Sequence, residues 1–398
     1  MTTDKHNKRP NVPPLRFPEF SGEWNRTSIG DKFELYSGNT PSRLEKDQFV
    51  GKINWITSGE LKNHYIAATN ETITEEAAAN NNLRLLPIGT FVIAIYGLEA
   101  AGVRSTGSIT TEASTISQAC MAFLPKGEIS NEFLYSWYMK HGNTIGLRYA
   151  QGTKQQNLSY DIIERFKISY PNVLEQRKLE KFISLLDRRI ATQSGLIEDL
   201  QKLKAALVER LFCNKQSWKQ YKYRDLLSPI SERNSGNQFS NVLSASQELG
   251  MVSRTDLDID IKFDRSAVTT YKIVRDGDYV LHLRSFQGGL AFSSMTGICS
   301  PAYTILRPVK ELEYGFFQEY FVSKSFINSL RLVTYGIRDG RSINVDEFLD
   351  MTVEIPDSAT QRRIISILST MNRRLRLAIK QNENYIKQKQ YLLQQLFI

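Results

Sequence analysis

Residues able to do covalent chemistry are thinly spread in this chain. Asp258-Ile259-Asp260-Ile261-Lys262 sets two carboxylates and a lysine on one side of an alternating segment, which could serve a metal-dependent nuclease, although alternating charge on an edge strand is commonplace and is the expected reading. Asn11-Val12-Pro13-Pro14 approaches the Asn/Asp-Pro-Pro-aromatic motif of adenine methyl transfer, but a valine is inserted and the aromatic is missing. Gly102 to Ser108 has the glycines of a phosphate loop without the Lys-Ser/Thr pair that would hold phosphate and magnesium. His6, His64, His141 and His282 show no spacing that suits a metal or a triad, and Cys120, Cys213 and Cys299 stand singly. The expectation is a chain with no catalytic centre, no metal and no cofactor of its own.

Binding chemistry is better represented. One polar loop runs Gln151-Gly152-Thr153-Lys154-Gln155-Gln156-Asn157, and a matching one runs Gly336-Ile337-Arg338-Asp339-Gly340-Arg341-Ser342. Gln and Asn can take an adenine edge bidentately, Arg a guanine edge, and glycine lets the backbone approach a phosphate. The plain alternative is a solvated loop. Tyr96-Gly97 leading to Arg104, and Arg284-Ser285-Phe286-Gln287-Gly288-Gly289, form a second pair of candidates that a tight glycine turn explains as well. Thr57, Ser58 and Glu60, after the Trp55 strand, form a third; Glu can accept from cytosine, although surface Glu seldom does.

What positions these loops is a duplication. Pro171, Gln176, Arg177, Ser184, Arg188, Arg189, Glu198, Lys202, Lys204, Leu207, Leu211 and Phe212 recur 185 positions later as Pro356, Gln361, Arg362, Ser369, Arg373, Arg374, Glu383, Lys387, Lys389, Leu392, Leu396 and Phe397. A period of that length is a whole domain with its helix, not a solenoid repeat. The match continues weakly upstream: Trp24, Ile29 and Asp31 are echoed by Trp218, Tyr223 and Asp225, and Gly89–Ile93 by Gly277–Leu281. Short apolar runs at Ala119–Phe123 and Ala302–Leu306 read as strands. Phe133-Leu134 with Trp137-Tyr138-Met139, and Phe316-Phe317 with Tyr320-Phe321, have the spacing of a helix packed on a sheet.

Each head closes with a strand, Phe166–Tyr170 or Met351–Ile355, and a proline then opens a long helix. Leu186, Ile190, Ile197, Leu200, Leu207 and Leu211 keep the three-four alternation of a coiled-coil seam, with Gln193 and Lys204 in its polar slots. Met371, Leu375, Ala378, Tyr385, Leu392 and Leu396 repeat it, with Asn382 and Lys389 as the polar positions. If the two seams pair antiparallel, a direct repeat becomes a pseudo-twofold, and rods near ~60 Å would match roughly 18 base pairs of duplex. The expected organisation is α+β: an N-terminal arm (1–22), a first head (23–170), a long helix (171–213), a second head (214–355) and a second long helix (356–398).

The composition of 398 residues, 41% hydrophobic and 11% aromatic, supports packed cores and excludes a disordered chain. Most of the net charge of +9 lies in the helices, +2 over Glu175–Phe212 and +6 over Asp357–Ile398, which favours an acidic partner. Arg373, Arg374 and Arg376 cluster without acidic neighbours and read as a partner or phosphate contact. No apolar run approaches the ~20 residues of a membrane span, the start lacks a signal-peptide core, and the unpaired cysteines fit a reducing compartment, so a cytoplasmic protein is expected.

Together these features resemble the specificity subunit of type I restriction-modification systems. The carriers are the opening Leu15-Arg16-Phe17-Pro18-Glu19-Phe20-Ser21-Gly22-Glu23-Trp24, the Trp55-Ile56-Thr57-Ser58-Gly59-Glu60-Leu61 run, the Gly-led strands, Pro-x4-Gln-Arg opening each long helix, and Leu-Phe ending both. The resemblance implies two target-recognition domains, each reading half of a split, asymmetric double-stranded DNA site, with the helices packed as an antiparallel coiled coil that sets the gap. It implies two methyltransferase subunits as partners, motor-nuclease subunits added for cleavage, and S-adenosylmethionine, ATP and magnesium residing in those partners. It gives Met1–Arg9 no role and does not carry over the bases read. By the residues alone, two other readings stay open: a stand-alone metal nuclease resting on Asp260, and a structural adaptor whose heads bind nothing.

Overall fold

The computed structural model describes residues 10–100, 102–152, 156–213, 217–246, 249–256, 265–309, 311–336 and 341–398. They fall into two compact units, Met1–Gln193 with Gln381–Ile398, and Ser194–Lys380.

The first unit begins with β1 (Asn25–Ser28), α1 (Ile29–Lys32), β2 (Phe33–Ser37), β3 (Ile53–Ile56), β4 (Tyr65–Ile66), β5 (Thr72–Ile73) and α2 (Glu75–Asn80). It continues with β6 (Phe91–Ala94), β7 (Gly107–Thr110), β8 (Ser114–Ile116), β9 (Cys120–Pro125), α3 (Asn131–Tyr149), α4 (Tyr160–Arg165) and β10 (Lys167–Tyr170), then enters α5 (Val173–Cys213). The second unit contains β11 (Lys219–Lys222), α6 (Tyr223–Leu226), β12 (Leu227–Ile230), β13 (Leu243–Ser246), β14 (Gly250–Ser253), β15 (Lys272–Val274), β16 (Tyr279–Leu281), α7 (Ser285–Gly288) and β17 (Ala291–Phe292). Next come β18 (Gly297–Cys299), β19 (Thr304–Pro308), α8 (Lys324–Ser329), β20 (Thr334–Tyr335), β21 (Ser342–Ile343), α9 (Val345–Asp350), β22 (Thr352–Ile355) and α10 (Ser358–Leu396).

The duplication is visible in the strand pairing. The first unit has a five-stranded sheet ordered β2-β9-β6-β7-β4, and the second a four-stranded sheet ordered β12-β19-β16-β17. In each, the strand after the one-turn helix pairs with the last strand of the sheet sequence, which pairs with the Gly-led strand. In each, an antiparallel ribbon, β1 with β10 or β11 with β22, hands the chain to the long helix. Asp31 and Asp225 occupy the same place, accepting the backbone N–H of Ser28 (3.1 Å) and Lys222 (3.0 Å) three residues upstream and so fixing the one-turn helix.

The apolar runs are sheet interior. All four residues of β6 and all three of β16 are buried, as an unbroken hydrophobic strand requires when both faces are covered. The helical spacing at Phe133 is realised in α3, capped by Ser130 accepting the Phe133 N–H (3.1 Å), with Phe133, Leu134, Trp137 and Tyr138 buried. The same expectation at Phe316 is corrected. Phe316, Phe317 and Phe321 are buried, but on turns and a 3-10 segment at Tyr320–Val322, followed by the separate helix α8. The Phe317 N–H goes to Tyr279 Oη (3.1 Å) rather than to a helical carbonyl, and Ser323 turns extended to cap α8 through Phe326 N–H (3.2 Å).

Both long helices are present, and they pack antiparallel. Within the first unit Asp187 of α5 meets Lys389 of α10, and Arg189 donates to Tyr385 Oη (2.8 Å) and lies over its ring, so rising numbers on one helix meet falling numbers on the other. Leu179 and Ile183 share a core there with Leu393, Leu396 and Phe397. Within the second unit Val208 and Phe212 share a core with Ile364 and Leu368. The seam residues Leu186, Ile190, Ile197, Leu200, Leu207, Leu211, Leu375, Tyr385 and Leu392 are half-buried, and Met371, Ala378 and Leu396 are buried. Two polar slots carry ion pairs: Lys389 with Asp187, and Lys204 with Glu319 (2.7 Å), whose other oxygen takes Asn372 Nδ2 (2.6 Å). Arg373, Arg374 and Arg376 are exposed. Among the described residues no helix is long and apolar enough to cross a membrane.

The repeated Pro-x4-Gln has a structural cause. Gln176, 1% exposed, donates through Nε2 to Pro171 O (2.9 Å) and Glu128 O (3.0 Å) and accepts the Ser130 N–H (3.2 Å). Gln361, also 1% exposed, donates to Pro356 O (3.0 Å) and Glu311 O (3.0 Å) and accepts the Glu313 N–H (2.9 Å). Each clamp ties the first turn of a long helix to a loop of its own head, supplying partners that buried backbone groups would otherwise lack.

Candidate nucleic-acid interface

One end of the first unit's sheets gathers most of the loops with recognition chemistry. Ile56 lies beside Ile116 in parallel strands, Ala94 opposite Cys120, and the Ser37 hydroxyl donates to Cys120 O (3.2 Å). The segments that leave at that end, near Asn39, Thr57, Tyr96 and Ser117, are therefore neighbours by construction.

The loop after α3 joins this edge through its backbone. Gln151 and Asn157 exchange both N–H···O bonds (2.9 Å each), closing the loop between them. Its outgoing limb then binds the Gly97 turn. Leu98 N–H donates to Gln156 O (2.9 Å), Gln156 N–H to Glu99 Oε2 (2.8 Å), and Gly97 N–H to Asn157 Oδ1 (3.4 Å). The bond from Gln156 holds the Glu99 carboxyl below its usual range. Gly97 has φ +76°, the left-handed region that glycine adopts without strain, which explains the glycine in that turn. Gln156 and Asn157 are thereby locked at the backbone and half-buried.

Three candidates, Arg104, Thr57 and Glu60, make hydrogen bonds within the edge itself. Arg104 donates through Nε to Leu98 O (3.0 Å) and through Nη2 to Glu99 O (3.4 Å), so its guanidinium braces the turn. The Glu60 carboxylate accepts Thr57 N–H (2.8 Å) and Thr57 Oγ1–H (2.7 Å) on one oxygen and Asn70 N–H (2.6 Å) on the other. Thr57 and Glu60 thus shape the loop, while half-buried Ser58 sits in the 3-10 turn they frame. Lys154, Gln155 and Arg338 lie outside the described residues, as does the Asp258–Lys262 segment.

In the second unit the candidates also come together. α7, which carries Gln287 and follows Arg284, packs against β21, which begins at Ser342 beside Arg341. Arg284, Gln287, Arg341 and Ser342 are all exposed. Two features hold α7 in place. Ser285, fully buried, accepts the His282 N–H (2.9 Å), and burial keeps the His282 imidazole below its usual pKa. Gly289 has φ +76°, and a Cβ there would stand 1.7 Å from Phe321 O, so only glycine fits. Among the described residues there is no group of three or more His, Cys, Asp and Glu placed to hold a metal.

Several contacts carry no sequence signal. Arg16 forks onto Glu175 (2.8 and 2.7 Å), which is 1% exposed and also accepts Trp24 Nε1–H (3.3 Å), binding the arm to the start of α5. Leu15 N–H (3.0 Å) and Lys140 Nζ reach Gln395 O and Gln394 O (3.0 Å), satisfying last-turn carbonyls of α10. His64 is stacked between Tyr65 (4.1 Å) and Tyr135 (3.9 Å) and faces Glu132 (2.9 Å) and Asp187 (3.4 Å).

Residues 21–202 match the family described as the type I restriction modification DNA specificity domain. Curated relatives include the type I restriction enzyme MjaIX specificity subunit of Methanocaldococcus jannaschii, 27% identical over 52% of this chain and 48% of its own. The EcoR124I/EcoR124II specificity subunit of Escherichia coli is 28% identical over 47% of this chain and 46% of its own. The matched part spans about half the length of these relatives. The fold is that of the type I restriction-modification S subunit from M. genitalium, with a TM-score of 0.56 at 14% identity over 97% of this chain and 99% of that one. A chain from a structure describing complex assembly and conformational transition of a type I system matches with a TM-score of 0.59 at 12% identity, over 93% of this chain and 96% of its own. The specificity domain as matched runs from the arm through the first head and past the Gln176 clamp, so it includes the whole loop edge described above.

Proposed function

We propose that the chain is the DNA sequence-specificity subunit of a type I restriction-modification complex, reading a bipartite, asymmetric site with one half taken by each head. The observation that carries this reading is the duplicated head, each copy presenting exposed or half-buried polar side chains on a loop at matching positions, Gln156 and Asn157 in one and Arg341 and Ser342 in the other, with Ser58 in the first head and Arg284 and Gln287 in the second on further loops. Such side chains supply the donors and acceptors of major-groove readout. Lys154, Gln155 and Arg338 are proposed to join them from the same loops. In this reading Arg104 and Thr57 position the edge, and the subunit performs no chemistry itself.

The partners proposed are double-stranded DNA, two methyltransferase subunits and the motor-nuclease subunits, with the seam of α5 and α10 setting the gap between half-sites. S-adenosylmethionine, ATP and magnesium are assigned to those partners. The test is an exchange of residues 23–170 for the same region of a relative, followed by sequencing of methylated sites in a host. The expected outcome is a change in one half of the target with the other half and the gap retained. A change in both halves, or methylation indifferent to this chain, refutes the proposal.

A further inference from the structure

Between α3 and α4, the two helices that carry the Gln151–Asn157 loop, the first unit holds an open cleft of about 680 Å³. Arg148 comes from α3, Arg165 from α4, Lys167 from β10 and Arg26 from β1, its antiparallel partner. All four are exposed, and no carboxylate side chain lines the cleft. No ion pair or side-chain hydrogen bond engages any of these four cations among the described residues, whereas Lys32, Arg43 and Arg84 of the same head pair with Glu128, Glu71 and Glu34. Deeper in, Trp137 donates through Nε1 to Ile398 O (3.1 Å), and His141, whose ring lies 4.8 Å from Trp137 and tilted 39° to it, has a buried Nε2 with no hydrogen-bond partner.

Four like charges around one concavity repel each other, and the one anionic group in the lining, the main-chain terminus of Ile398, offsets only one of them; a buried imidazole nitrogen without a partner adds to the cost. Coming from four different elements, these cations converge only in the folded head. We infer that this cleft is a phosphate-binding site, built to take a phosphodiester or phosphoryl group on Arg148, Arg165, Lys167 and Arg26, with His141 Nε2 available to it from below. Guanidinium groups suit the tetrahedral oxygens, since each can present two N–H donors to one phosphate. Because the cleft lies at the base of the loop assigned to base readout, a backbone phosphate of bound DNA is one source; a free phosphate-bearing molecule is the other.

The site stands or falls separately from the proposed function, because its first test contains no DNA. Full-length protein at low salt is titrated with inorganic pyrophosphate by calorimetry. Binding is expected for the wild type, weakened at least about tenfold by Arg148→Ala or Arg165→Ala, since a hydrogen bond to a charged group is lost in each. Lys46→Ala, exposed and outside the cleft, leaves the titration unchanged. A second arm measures the salt dependence of affinity for a duplex in the assembled complex. If the DNA backbone is the source, the Arg148→Ala/Arg165→Ala double variant lowers the slope by about 2. If pyrophosphate binding is lost with the slope intact, a free ligand is the source. Absence of pyrophosphate binding by the wild type, or equal binding by both arginine variants, overturns the inference; circular dichroism of each variant guards against misfolding as its cause.

Discussion

Replacing Gln176 or Gln361 by Met keeps the length and burial of the side chain while removing its polar end. In the first unit that change orphans the Ser130 N–H and withdraws a donor from Pro171 O and Glu128 O; in the second it does the same to Glu313 N–H, Pro356 O and Glu311 O. Three hydrogen bonds at about 1 kcal/mol net each, with a buried N–H left unpaired, place the cost at about 2 to 4 kcal/mol per site. Equal effects are expected because both glutamines are 1% exposed and make the same three bonds. Hydrogen exchange read by mass spectrometry is the suitable assay, since a chain with two units need not unfold in one step. Protection in the loop before α3 should fall by between about 30-fold and about 1000-fold for Gln176→Met, and in the loop at Glu313 for Gln361→Met. Gln176→Glu should be worse at neutral pH, because it points a buried carboxylate at two carbonyl oxygens. A cost below about 0.5 kcal/mol at both sites would refute the argument, leaving the repeated glutamine without a structural reason.

Other outcomes follow from single sites. Burial would lower the His64 pKa, but its hydrogen bonds to Asp187 and Glu132 outweigh burial and hold it above 6.5. The stability it contributes is therefore complete below that value and lost as pH rises through the higher folded pKa; protection around Asp187 should be greater at about pH 6 than at about pH 8.5, and His64→Phe should abolish the difference. A wild-type profile flat across that range would contradict it. Gly289→Ala forces a methyl group against Phe321 O and should destabilise the second unit by about 2 to 4 kcal/mol, measured by its unfolding midpoint, while leaving the first unit unchanged. Arg341→Ala should relax preference at one base position by about 1 to 3 kcal/mol, whereas Lys154→Ala should weaken all sequences alike and lower the salt slope by about 1; competition binding with a randomised duplex separates the two, and identical profiles would count against both assignments.

Some of this architecture is written in the chain in a form that needs no coordinates. A constant offset of 185 held from Pro171 to Phe212 fixes a duplication, and the three-four alternation from Leu186 to Leu211 and from Met371 to Leu396 fixes two long helices that must bury a seam, because periodicity is a property of one element acting alone. The polar loops at Gln151 and Gly336 were legible for the same reason, standing at matching distances before each closing strand. The run at Phe316 shows the limit. Its spacing equals that at Phe133, but Tyr279 Oη captures a backbone N–H and Ser323 starts a new helix, so equal periodicity gave a helix in one head and turns in the other.

What tertiary structure alone decided is which distant groups meet. Arg104, legible as a recognition arginine, is used on its own turn, while Arg16 reaches Glu175 and His64 reaches Asp187 across more than a hundred residues. The cleft of Arg26, Arg148, Arg165 and Lys167 draws on two strands and two helices, with no local motif among them. Sequence spacing reports which face of an element is buried; side-chain hydrogen bonds and charge clusters depend on how separate elements pack, and that information exists only once the chain has folded.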